Sequence, residues 1–141
     1  MATKTGNQVI GDIRSLLMDS DLARAISGKV YRRGTRPRDS RMEDAVVGFS
    51  AGIPDQIQTG VAVVNVYVPD IDCDGNGTWV EDGARTEEVE RLAQAWAESL
   101  TASRSCYRFR LQQSIYTEEE PDSRQHFVTV RLHFDYYDNE N

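Results

Sequence analysis

Histidine and cysteine are scarce in this chain, two of each in 141 residues. Cys73 and Cys106 set up neither a disulfide framework nor a cysteine metal cluster. His126 and His133 differ by seven positions within one predicted strand, so they point to opposite faces and cannot share a metal. No serine or cysteine stands in a nucleophile elbow. No G-x-x-x-x-G-K-[ST] phosphate loop is present. Apolar runs all fall short of the ~20 residues of a membrane-spanning helix. The opening stretch, MATKTGNQVIGDIRSLL, lacks an apolar signal core and a small-residue cleavage site, so synthesis in a cytoplasm is expected. Positive charge is also short: 16 Lys and Arg against 23 Asp and Glu give a net charge of -7. That balance argues against general or sequence-specific nucleic-acid binding. These absences make the chain read as a non-enzyme without a cofactor.

What is there fits one domain with a real core. Val9, Ile10, Ile13, Leu16 and Leu17 fall on one face at helical spacing, with Thr5 as N-cap. Ser20 begins a further short turn through Leu22 and Ile26, stopped at Gly28. The segment KVYRR reads as a strand, and DAVVGFSAG as a second. The third strand, IQTGVAVVNVYVP, carries the strongest β signal. Its two alternating sets, Val61, Val63, Asn65, Tyr67 and Ala62, Val64, Val66, Val68, are both largely apolar. It belongs at the centre of a sheet, one face covered by helices and the other partly covered. In TEEVERLAQAWAESLTA, Thr86 is the expected N-cap and Val89, Leu92, Ala93, Trp96 and Leu100 the buried stripe. CYRFRLQQSIYTEE reads as one strand. The acidic turn around Glu118 to Asp122 follows. HFVTVRLHFDYY closes the sheet, with Val128, Val130, Leu132, Phe134 and Tyr136 facing one way. The order α-β-β-β-α-β-β predicts an α+β fold, a mostly antiparallel sheet with helices on one face, as a single domain over 5–138. Residues 139–141 read as a tail.

Two segments stand out chemically. YRRGTRPRDSR concentrates five arginines, Arg32, Arg33, Arg36, Arg38 and Arg41, in an exposed basic loop over 32–43. It reads either as a solvated loop or as a contact arm for an acidic surface. The second segment, DIDCDGNGTWVE, spells the calcium pattern D-x-[DN]-x-[DN]-G-x₅-E. Asp70, Asp72, Asp74 and Glu81 would supply carboxylate oxygens and Asn76 a carbonyl, with Gly75 at the sharp turn. A paired-helix calcium site needs helices on both flanks. Here Pro69 ends a strand directly before the loop, and Gly83 delays the next helix. The expectation is a solvated strand-to-helix connection, with no metal.

The succession of an amphipathic helix, the GKVY strand, an Arg/Pro-bearing excursion, VAVVNVYVPD, an acidic loop, RTEEVERLAQAWAESL and the aromatic RLHFDYY resembles the tail-terminator, or tail-completion, proteins of long-tailed bacteriophages and prophages. The resemblance covers roughly residues 5 to 138 and rests on order and texture, not on an invariant motif. It implies a virion structural protein without catalytic residues. Such proteins form a ring, usually a hexamer, at the head-proximal end of the tail tube. The ring stops tube growth and offers a surface for the head. Its implied partners are copies of itself, the tail-tube protein and the head-tail connector proteins. The long arginine excursion and the calcium-like loop depart from the pattern. A neck or head-completion protein, or a calcium-dependent binding module built on 70–81, are the alternative readings.

Overall fold

In a computed structural model, the structure describes residues 3–103 and 105–137. The tail expected at 139–141 lies outside them. The fold is α+β: a six-stranded, mostly antiparallel sheet with three helices among the described residues. Helix α1 (Gly6–Met18) opens with Thr5 and Gln8 in a reciprocal capping box. Ser20 caps the short α2 (Asp21–Ala25). Strands β1 (Val30–Arg32), β2 (Ala45–Ile53) and β3 (Gln58–Pro69) follow. Then come α3 (Gly83–Ala102), β4 (Tyr107–Leu111), β5 (Tyr116–Glu120) and β6 (Gln125–Tyr136).

The sheet runs β1-β2-β3-β6-β4, with β5 also paired to β6, so β3 and β6 form its centre. Only β1 against β2 is parallel. Strict alternation along β3 decides the layering. Ala62, Val64, Val66 and Val68 are sealed, and they face α1 and α3 together with Val128, Val130, Leu132 and Phe134 of β6. The helices contribute Val9, Ile10, Ile13 and Leu17 from α1 and Val89, Ala93, Trp96, Ala97 and Leu100 from α3. Leu16, expected in the α1 stripe, is exposed, and Leu92 of α3 is only partly buried. Both lie at the margin of a stripe that is narrower than their spacing suggested. The other sheet face carries Val61, Val63, Asn65 and Tyr67, all half-buried, and no helix of the described residues covers it.

Two expected boundaries are corrected. The strand expected through 106–119 is broken at 112–115. β4 pairs Tyr107 with Tyr136, whereas β5 pairs Tyr116 with Thr129, so two extra residues are accommodated between them. Helix α3 also begins earlier than Thr86. Asp82 is the N-cap and accepts from the Arg85 N–H at 3.3 Å. Thr86 sits buried inside the first turn, where its hydroxyl donates to Glu81 Oε2 at 2.6 Å. An aspartate before a glycine reads as a turn, but its carboxylate at that point is also a good cap. The helix therefore starts at Gly83 itself, directly after the Asp82 cap, against the delay expected from that glycine. Among the described residues no helix is long and apolar enough to cross a membrane.

Candidate functional site

The five arginines of the basic loop do not form one arm. Arg32 pairs in register with Val47 and so turns to the helix side, where it donates to the Asn7 carbonyl at 3.2 Å. Arg33, the next residue, lies on the open side across Gly48 and donates to the Phe49 carbonyl at 3.1 Å. Arg36 is an internal pin. Its Nε donates to Asp44 Oδ2 at 2.9 Å and its Nη2 to Gln125 Oε1 at 2.9 Å, while the guanidinium stacks 4.0 Å from the Tyr67 ring centre. Arg41 donates to the Ser123 carbonyl. Arg38 is exposed, and no hydrogen bond or ion pair holds it among the described residues.

Asp44 explains why the loop is held. Its side chain is 1% exposed and Arg36 14% exposed. Burial pushes the Asp44 carboxyl up, but hydrogen bonds from the Ser40 hydroxyl, the Lys29 N–H and Arg36 outweigh that and hold it below the usual carboxylate range. Glu43 beside it is lowered by its hydrogen bonds from Arg85, with burial opposing. Gly28 is required by this packing, because a Cβ there would overlap the Asp44 carboxylate and stand 2.6 Å from the Glu43 carbonyl oxygen. The loop thus folds over the lower end of the open sheet face, covering Tyr67 and Gln125.

The calcium-like segment is entered from β3 and left through α3, so only its exit resembles a paired-helix site. Its oxygens do not converge. Asp70 Oδ1 stands 2.6 Å from His126 Nδ1. Asp72 turns inward and accepts from the N–H groups of Asn76 at 3.1 Å and Gly77 at 2.8 Å. The Asn76 side chain accepts from the Thr78 N–H at 3.0 Å. Glu81 is taken by Thr86, with His126 Nε2 3.7 Å from its other oxygen. Asp74 points outward and is exposed. Among the described residues no group of three or more His, Cys, Asp or Glu side chains is arranged to hold a metal ion. Positive φ at Gly75 and Gly77, 69° and 83°, lets the chain reverse. The ends are clipped by a bridge between Ile71 and Val80. The product is a shaped acidic tip that presents Ile71, Trp79 and Val80 to solvent, with Arg124 stacked 5.1 Å from the Trp79 ring centre.

The open sheet face is the other notable surface. Val46, Val63 and Tyr67 floor a groove of about 460 Å³, with Arg33 at its edge and Asn65 at its centre. Asn65 Oδ1 is sealed there, with no hydrogen-bond partner among the described residues. Arg131 of β6 reaches toward the same groove, its Nη2 3.3 Å from Ser50 Oγ. Farther out on this face Arg108 and Arg110 of β4 lie across from Asp135 and His133, and Glu118 and Glu120 of β5 across from Phe127 and Gln125, so its outer margin carries both signs. His126 is on the helix-facing side of β6 and His133 on this open side, as their spacing required. The groove escapes sequence reasoning because its arginines come from two separate segments. The apolar second face of β3 is the one signal for it.

No protein-family model matches this chain, and no curated protein matches it. Among solved structures, one chain whose name states no function superposes with a TM-score of 0.52 at 19% identity, covering 95% of this chain and 98% of that one. A likeness at this identity shows the fold alone.

Proposed function

We propose that this chain is a phage virion structural protein of the tail-terminator class. It assembles as a ring, a hexamer, at the head-proximal end of the tail tube, stops tube polymerisation and provides the head-joining surface. Its place is the virion tail, and it acts by assembly and not by catalysis. The observation that carries the reading is the uncovered sheet face. A sheet whose second face is apolar at its centre and rimmed by charges of both signs is half of an interface, and copies of the same chain can supply the other half. The succession of sequence segments over residues 5 to 138, which resembles the tail-terminator family, supplies the class. The structure also corrects which residues should be tested for contact. Arg33 and Arg38 are available at the surface, whereas Arg36 is an internal pin and its replacement would disturb the fold itself.

Deletion of the gene from the phage or prophage that carries it tests the reading. Tails of uncontrolled length, or tails of correct length that fail to join heads, are the expected outcome by electron microscopy. Normal particles would refute it. Complementation with Arg38→Glu, which leaves the Arg36–Asp44 pair in place, then separates contact from folding.

A further inference from the structure

We infer that the acidic tip at 70–82 docks into the open-sheet groove of a second copy of this chain, with Trp79 as the anchor between Arg33 and Arg131. This rests on the ring reading above and names the contact that would build it. Four observations carry it. The tip holds five carboxylates and no basic residue over 70–82, with Asp74 exposed at its turn, while Arg33 lines the groove and Arg131 reaches Ser50 at its edge, so these charges are complementary. Trp79, with Arg124 over one side of its ring, is still 42% exposed and stands beside two further exposed apolar residues, Ile71 and Val80. Tryptophan is among the residue types enriched at interface hot spots.

The tip is also already shaped. Asp72, Asn76 and the Ile71–Val80 bridge fix its backbone within one chain, so little ordering is needed on docking. Finally, the groove holds an unmet hydrogen-bonding group. Asn65 lines the groove, and its buried oxygen would have to turn outward to accept from the indole N–H. Tip and groove are different patches of one molecule, so the contact is heterologous and propagates head to tail until the ring closes.

Cys73 sits exposed in the tip and serves as a native probe. The test is mild oxidation of the purified full chain carrying Ser50→Cys and Cys106→Ser, compared with Ser15→Cys and Cys106→Ser, and repeated on assembled particles where these form. Bonds between two Cys73 thiols stop at dimers. Bonds from Cys73 to the thiol introduced in the groove propagate, so a ladder beyond the dimer is expected only for Ser50→Cys. Trp79→Ala should weaken the ladder by about tenfold or more. Arg33→Glu should weaken it too, and Asp74→Arg in the same chain should restore it, which a misfolded variant would not do. A ladder no stronger than the Ser15→Cys control, in free chain and in particles alike, overturns the inference. So do adducts that form only with the tail-tube protein. Gene deletion that disturbs tails while no ladder forms would leave the terminator reading standing and remove this contact. A ladder with normal tails on deletion would do the reverse.

Discussion

Arg36 shows how far a charge in the sequence is from a role in the structure. Five arginines in one short segment read as a single basic arm. The chain instead sends them to the helix side, the open face, the interior, the solvent and a distant turn. The reason is tertiary: Asp44, Gln125 and Tyr67 converge on Arg36, and Gln125 lies 89 residues away in sequence. No local pattern carries that information. Arg36→Ala leaves the Asp44 carboxylate buried and short of its cation, and should lower stability by about 3–5 kcal/mol in urea unfolding. Arg38→Ala, at an exposed site, should stay within about 0.5 kcal/mol. The same network sets a pH dependence. The carboxyls of Asp44 and Glu43 are held below their ordinary values of 3.8 and 4.5. A lowered folded pKa stabilises the fold fully above the unfolded value and loses that contribution as pH falls through the folded one. Stability should therefore be flat near neutrality and drop on the acid side of about pH 4. Asp44→Asn should reduce stability at pH 7 and shallow that acid limb, read by thermal unfolding across pH.

At the scale of elements, the sequence was legible where one period dominates. The alternation of β3 and β6 and the stripe of α3 named the core faces correctly, because a buried face needs an unbroken set of apolar positions. Boundaries were less legible, since each depends on a single contact. Asp82 caps α3 because its carboxylate happens to meet the Arg85 N–H, and the β4–β5 break appears only in register with β6. Trp96, 5% exposed within the core, is the strongest test of the helix-on-sheet layer. Trp96→Ala should destabilise by about 3–5 kcal/mol, and an unchanged thermal midpoint would refute the packing described. The acidic tip makes an opposite demand. Its calcium-like spelling is explained by turn chemistry: Asp72 and Asn76 bind loop N–H groups, and the glycines take positive φ. Calorimetric titration with calcium at millimolar concentration should show no saturable heat. Asp72→Ala should instead speed amide exchange at Asn76 and Gly77 by opening the tip, and a calcium heat that vanishes in that variant would reverse this conclusion.

For the whole molecule, the charge of -7 hides a segregation that matters more than the total. Acids gather at the tip and along the outer face of α3, where Glu87, Glu88 and Glu98 are exposed. On the open face Arg33 and Arg131 edge the apolar groove, whereas Arg108 and Arg110 lie farther out on β4 beside Asp135, and Glu118 and Glu120 of β5 share that face. A uniformly acidic subunit would repel its copies, whereas a polar one can stack head to tail. The two parts of such an interface respond differently to conditions. Exposed ion pairs contribute only about 0–1 kcal/mol each, so charge chiefly guides encounter, and the apolar anchor sets lifetime. Raising ionic strength from about 0.15 M to 1 M shortens the screening length from ~8 Å to ~3 Å. The rate of self-association, followed by light scattering after a concentration jump, should therefore fall by about tenfold or more over that range while dissociation changes little. Trp79→Ala should do the converse, with a nearly unchanged association rate and faster dissociation. Association whose rate is indifferent to salt would mean that the groove edged by Arg33 and Arg131 and the acidic tip do not meet.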